Sequence, residues 1–292
     1  MASSAAGGRS ASVMNPRTRA ALLVACFGFA AAPSRAQAPT PELVARTELR
    51  VCADPSNLPF SDRQGEGFEN RIAALLAQDL RLPLATVWFP QVGGFVRNTL
   101  RARQCDLVMG TVSGDPVMDA TNPYYHSAYM IVTRTADHVT ARSVGDPDLA
   151  GKRFGVIAAT PPTDLLLRHD LMANVHSYSL AVDTRFESPG RAMLQDVVDG
   201  TIDVGLLWGP IAGYWIAREH LPLTAAFIEP EEGAPRLDFH IAMGVRAGEP
   251  EWRRRINQAL QTQQGAIAAI LAEYSIPQLD GRRPPPPQAA PR

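Results

Sequence analysis

The sequence predicts an α/β protein of two similar lobes, and three observations carry that prediction. Short apolar strand patterns alternate with amphipathic helix patterns from Leu49 onward. The alternation stops in a polar, turn-rich stretch at 135–152 and then restarts. A last strand and a long helical stretch, 237–274, follow the second run, so the chain returns to the lobe it left. Two crossings imply a two-strand hinge, one strand ending near Arg134 and the other running through His240. A cleft between hinged lobes is where a ligand would sit.

The first 38 residues are set aside as an export signal. They hold no acid and four arginines, Arg9, Arg17, Arg19 and Arg35, around an apolar run at 20–32 too short to span a bilayer. Ala36-Gln37-Ala38 is a cleavage site, so the mature chain is expected to start at Pro39. Cys26 lies in a lipoprotein-like box, but too few apolar residues precede it, and anchoring there is not expected. No later apolar run is long enough for a membrane helix, so the expected product is a soluble periplasmic protein. The formal net charge of −1 leaves no electrostatic footprint for nucleic acid.

Each element follows from its pattern. Strands are read at 49–53, 85–89, 106–109 (ended by Gly110) and 128–133. Helices at 68–80 and 95–102 lie between them, the first carrying Ile72, Leu75, Leu76 and Leu80 on one face. In the second run, strands at 153–158, 175–180, 202–207 and 223–228 alternate with helices at 163–170, 191–198 and 211–219. The strand at 237–245 leads to a helical stretch from Pro250 to Tyr274, with a break at Gly265 and Trp252, Ile256, Leu260, Ile267, Ile270 and Leu271 facing the core. The lobes are therefore 39–134 plus 237–279 and 135–236. The tail, 280–292, holds four consecutive prolines from Pro284 and is expected to be disordered.

Most catalytic templates fail. Lys152, the one lysine, has Leu149 three residues before it, so there is no Ser-x-x-Lys motif. A nucleophile elbow and a phosphate-binding loop are absent, and the six histidines include no His-x-x-x-His pair. Asp62, Gln64, Glu66 and Gly67 begin like a calcium loop, but Ala73 stands where the bidentate glutamate belongs. That segment reads as a helix-entry loop. No catalytic residue, metal or cofactor is expected.

Ligands of open α/β sheets bind beyond the carboxyl ends of the strands. Here those ends carry Asp54, Asn57, Leu58 and Phe60, then Gly110, Thr111 and Ser113, then Thr160 and Pro161, then Trp208. Glu69 is within range of the cleft, and Tyr214 adds an apolar contact. Thr160 either caps the following helix or presents its hydroxyl at a helix N-terminus. Trp208 is either a cleft wall or lobe packing. Cys52 and Cys105 remain after signal removal and form either one disulfide or two buried thiols.

The order of motifs resembles the type II periplasmic solute-binding proteins over nearly the whole mature chain. Leu49-Arg50-Val51-Cys52-Ala53-Asp54-Pro55, Leu58-Pro59-Phe60, Asp106-Leu107-Val108-Met109-Gly110 and Asn122-Pro123-Tyr124-Tyr125 are similar to the first lobe. Leu149-Ala150-Gly151-Lys152 and Asp199-Gly200-Thr201-Ile202-Asp203-Val204 are similar to the second. More narrowly, Gly67-Phe68-Glu69-Asn70, Gly94-Phe95-Val96-Arg97, Thr160-Pro161-Pro162 and Trp208-Gly209-Pro210 resemble the MoxJ/XoxJ type. That resemblance implies a bilobed fold, neighbouring first and third strands that bring Cys52 and Cys105 within bridging range, and association with a PQQ-dependent methanol dehydrogenase as partner. Amino-acid-binding members hold the ligand carboxylate with an arginine where this chain has Gly114, and the ammonium with an aspartate where it has Trp208. The reading is a non-enzymatic accessory, maturation or activation factor for the dehydrogenase. The alternatives are a transport receptor for a small non-amino-acid solute and, third, a lyase on the same fold.

Overall fold

Ten strands form one continuous sheet among the described residues, 46–114 and 117–279, of the computed structural model. The expected leader with Cys26 and the expected disordered tail both lie outside the described residues.

The first run contains β1 (Leu49–Ala53), β2 (Ser56–Asn57), β3 (Ser61–Asp62), α1 (Phe68–Leu80), β4 (Leu84–Trp88), α2 (Phe95–Asn98), β5 (Leu107–Val112) and β6 (Asp119–Ala120). β7 (Tyr125–Arg134) leads out of it. The second run contains β8 (Phe154–Ile157), α3 (Pro161–Arg168), β9 (Val175–Tyr178), α4 (Pro189–Val198), β10 (Val204–Trp208), α5 (Gly209–Arg218) and β11 (Leu223–Phe227). β12 (Asp238–Val245) leads back, and α6 (Pro250–Thr262) and α7 (Gln264–Glu273) close the fold.

The strand order β4-β1-β5-β12-β7-β10-β8-β9 shows how two lobes share one sheet. β1 lies parallel to β4 and β5, with Val51 opposite Leu107, and β8 lies parallel to β9 and β10. These parallel pairs need crossover helices, which the alternating sequence supplies. β7 and β12 are the long antiparallel strands between the halves, paired from Asp238↔Ala128 to Ile241↔Tyr125. The first half of β7 pairs β12 and the second half pairs β10 and β11. They are the two hinge strands that the sequence predicts.

The main core runs through both lobes and the hinge strands, joining Phe68 and Met109 of the first to Met193, Leu194 and Leu207 of the second. Phe68, Ile72, Ala73 and Leu76 of α1 bury against Leu49, Val51 and Met109 of the sheet. Phe154, Val156, Leu165 and Leu166 form part of the second lobe's own cluster. The predicted core face of the last two helices holds at all six positions, from Trp252 to Leu271. Trp252 also donates its indole N–H to the Asp106 carbonyl at 2.9 Å, fixing α6 to the first lobe.

Several boundaries differ from the expectations. The strand expected to end at Gly110 runs on to Val112, since Gly110 adopts φ +62° within it instead of ending it. A Cβ at Gly110 would collide with the Glu69 carboxyl. The helix expected over 95–102 is one turn, Phe95–Asn98. Thr99 leaves helical geometry with its hydroxyl on the Phe95 carbonyl at 2.6 Å, the local competition that threonine offers a helix. The break after α6 falls at Gln263, not Gly265. Gln263 donates to Asp79 at 2.7 Å and so ties the join to α1. α3 and α4 start two residues earlier than expected, at Pro161 and Pro189, because proline suits the first helical turn.

Candidate functional site

The loop after β1 turns back as the β2–β3 hairpin and enters α1 through Gly67, whose Cα lies too close to the Phe60 carbonyl for any side chain. The calcium-like segment is this helix-entry loop: Asp62 accepts from the Glu66 amide at 2.7 Å, and Asn70 accepts from the Gly67 amide at 3.1 Å. Asp54, at the end of β1, is fully buried. Its carboxylate accepts from the Ser56 amide at 2.9 Å, the Gln91 amide at 2.7 Å and the Thr184 hydroxyl at 2.8 Å. Thr184 belongs to the loop between β9 and α4, so this last bond joins the two lobes. Asn57 stands beside it, donating to the Gln91 side chain at 3.0 Å. Neither Thr184 nor Gln91 was expected. Gln91 follows a strand end, the signal that could have found it, whereas nothing local marks Thr184.

Trp208 ends β10 and starts α5. It is half-buried against both hinge strands, its ring 5.3 Å from that of Tyr129 and 6.0 Å from that of Phe239. It also faces the Tyr125 hydroxyl, which burial raises well above its ordinary pKa. Tyr125 packs edge-on against Phe68 at 6.0 Å, and Phe68 against Phe60 at 5.5 Å. The result is an aromatic row from Phe60 in the first lobe to Trp208 in the second. Leu58, joined to Pro59 by a cis peptide bond, packs against the same core. Tyr129 and Phe239 are further residues missed in the sequence; they belong to the hinge strands and not to strand ends.

Glu69, expected within range of the cleft, lies in the first turn of α1, is 4% exposed and lines a cavity between α1 and the sheet of the first lobe. Its carboxyl sits beneath Gly110 and accepts from the Tyr124 hydroxyl at 3.3 Å. Burial pushes its pKa up to about 8, so it holds a proton at neutral pH.

The remaining expected residues are only partly brought together. Thr111 is buried in β5 opposite Ala242, and the Ser113 amide donates to the His240 carbonyl at 2.9 Å. Thr160 does not cap α3, which Pro161 opens; its hydroxyl donates to the Ile157 carbonyl at 2.6 Å, and its side chain also meets that of Tyr129, so Thr160 stays beside the Trp208 group. Tyr214 is buried, away from the Asp54 group, in stacked contact with Tyr274 at 5.9 Å. Together with Glu66, Arg218 and Glu273 these tyrosines line a separate groove of about 520 Å³. Gly114 has open space where a side chain would begin. Cys52 and Cys105 form a disulfide, Cα–Cα 5.6 Å, across the β1–β5 pair in a cluster with Phe95, Leu100 and Val108. Among the described residues no group of three or more His, Cys, Asp or Glu side chains is placed to hold a metal, and no helix is long and apolar enough to cross a membrane.

The sequence matches the bacterial extracellular solute-binding proteins, family 3, over residues 49–276. It is 31% identical to protein MoxJ of Paracoccus denitrificans over 82% of this chain and 92% of that protein. The structure is similar to the crystal structure of periplasmic binding protein XoxJ from Methylobacterium extorquens AM1, at 37% identity, TM-score 0.67, covering 80% of this chain and 99% of that one. MxaJ from Methlophaga aminisulfidivorans MPT matches at 28% identity and TM-score 0.68, covering 79% of this chain and 100% of that one. The chain belongs to the bacterial extracellular solute-binding proteins of family 3, as a periplasmic binding protein of the MoxJ/XoxJ type with the type II bilobed fold.

Proposed function

We propose that this protein is a non-enzymatic periplasmic accessory factor for a PQQ-dependent methanol dehydrogenase, acting in its maturation or activation. The interlobe cleft is its protein-binding surface, and the lobes are bounded at 39–134 plus 237–279 and 135–236. The observation that carries the reading is Trp208 at the junction of lobes and hinge, held among Tyr125, Tyr129 and Phe239. An amino acid brought there meets aromatic faces where amino-acid-binding relatives carry an aspartate. Open space at Gly114 likewise offers no guanidinium. Two absent charge-assisted partners, each worth ~1.5–3 kcal/mol, weaken a zwitterion by several kcal/mol. An aromatic, sparsely charged cleft suits an extended protein segment. The similarity to MoxJ and XoxJ supports the dehydrogenase as that partner. Co-purification of the tagged protein from methanol-grown periplasm tests this directly: recovery of the dehydrogenase supports it, and its absence even after crosslinking removes it.

A transport receptor for a small, mostly neutral solute is the second reading, favoured by the same aromatic row. Neighbouring permease and ATPase genes favour the receptor, whereas neighbouring dehydrogenase and cytochrome genes favour the accessory factor. A lyase needs a paired acid and base at the cleft. Glu69 is almost wholly buried in the first lobe and Lys152 precedes β8 at the strand's amino end, so these two residues do not form that pair.

A further inference from the structure

We propose that the first lobe carries a second binding site, separate from the interlobe cleft, for a compact, uncharged, mainly apolar molecule bearing one oxygen acceptor such as an alcohol or ketone. A cavity of about 320 Å³ lies between α1, the helix-entry loop and the sheet. That volume is within the range of small-ligand sites. Val51, Thr86, Trp88 and Met109 form its sheet wall, and Ala73 and Ala74 keep the helix side low. β4, which supplies Thr86 and Trp88, is an edge strand, so the cavity has an open flank. Arg63 stands at that flank with its guanidinium 5.7 Å from the Trp88 ring centroid. Arg71, the other basic lining residue, is paired with Glu273 outside the cavity.

The buried ionisable group of the lining is Glu69; Ser61 and Asn70 line the cavity too, but Ser61 donates to the Asp54 carbonyl and Asn70 accepts from the Asp62 and Gly67 amides. Glu69 is almost wholly buried, and its contact is with another neutral group, the Tyr124 hydroxyl. A buried carboxyl without a cationic partner keeps its proton, and burial raises its pKa to about 8. A protonated carboxyl donates a hydrogen bond, so the ligand needs an acceptor there. A ligand anion would oppose ionisation of Glu69 and lose its own hydration among apolar walls. An ammonium would meet no carboxylate at neutral pH. The apolar walls take the rest of the molecule. This site goes beyond the dehydrogenase reading and stands or falls apart from it.

Benzyl alcohol is the test probe, followed in the full chain by Trp fluorescence and by ligand-observed NMR at about pH 6.5 and about pH 9.5. Saturable binding is expected at the lower pH, at least tenfold tighter than that of benzoate or benzylammonium. Affinity should fall at least tenfold at the higher pH as Glu69 ionises. Glu69→Gln, which is neutral throughout, should lose that pH dependence. Ala74→Leu, a half-exposed position on the helix wall, should abolish binding while thermal unfolding confirms a folded protein. If Ala74→Leu fails to fold, the Glu69→Gln pH comparison decides alone. No saturable binding of benzyl alcohol, equal binding of the charged analogues, or a wild-type affinity independent of pH would each overturn the proposal.

Discussion

The Thr184 hydroxyl meets the buried Asp54 carboxylate at 2.8 Å across the two lobes, 130 residues apart in sequence. Two backbone amides already hold Asp54 within its own lobe, so Thr184 is the one of its three hydrogen-bond donors that depends on lobe closure. Thr184→Val keeps the shape of the side chain and removes the donor. The expected result is a larger radius of gyration in solution scattering, with unfolding stability lowered by only about 1 kcal/mol. Asp54→Ala also strands the Gln91 and Ser56 amides and should cost more, ~2–3 kcal/mol. An unchanged radius in Thr184→Val would separate that bond from closure.

Glu69 makes stability depend on pH in a defined direction. Its native pKa is raised to about 8, above that of an unfolded glutamate, so between the two values the native state holds a proton that the unfolded state has released. Its contribution to stability is therefore fully present below the unfolded value, falls as pH rises towards about 8, and levels off above that. Glu69→Gln should have nearly wild-type stability near pH 4 and gain on wild type as pH rises, by roughly 1 kcal/mol or more at pH 8. Denaturant midpoints of both proteins across this range check the prediction.

The Cys52–Cys105 bridge closes a loop with sequence separation 53. In the chain-entropy model that is worth ~4 kcal/mol. The double substitution Cys52→Ser, Cys105→Ser should lower the unfolding free energy by roughly that amount, and mass spectrometry of the non-reduced periplasmic protein should find neither thiol free to alkylate.

Common L-amino acids should not bind at micromolar affinity, given Trp208 and Gly114 in place of a charged clamp. Calorimetry of the ligand-free protein against all twenty checks this. One clean isotherm below about 10 μM would contradict the site reading.

How much of this was legible in the sequence depends on the range of each interaction. The strands and the face of α1 follow from periods within a single element, and Trp252, Ile256 and Leu260 were found for that reason. The hinge followed from chain order, since a second α/β run must leave and re-enter the first. Apolar periodicity alone places the helix starts at 163 and 191, whereas proline in the first turn sets them at Pro161 and Pro189. Tyr214 reads from the sequence as an apolar contact of the cleft. The helix after Trp208 instead turns it onto Tyr274. Thr184 was invisible for another reason: it lies in an aperiodic loop, and its meaning rests entirely on a partner in the other lobe. Glu69 was noted for its position, but its proton comes from burial beneath Gly110 and beside Tyr124, which no local pattern encodes.

Trp208→Ala separates packing from partner contact. If Trp208 is an anchor for the dehydrogenase, its loss should weaken that complex by ~2 kcal/mol or more, about thirtyfold in affinity. Its contacts with Tyr129 and Phe239 mean that stability must be measured on the same protein. A fall in melting temperature with affinity unchanged would assign Trp208 to packing alone.

The most direct measurement of the central claim is periplasmic methanol dehydrogenase activity in a strain lacking this gene. Activity or assembly of the dehydrogenase should fall, the wild-type gene should restore it, and a stably folded Trp208→Ala protein should restore it poorly. Unchanged dehydrogenase activity and assembly in the deletion strain would contradict the accessory role and leave the solute receptor in its place.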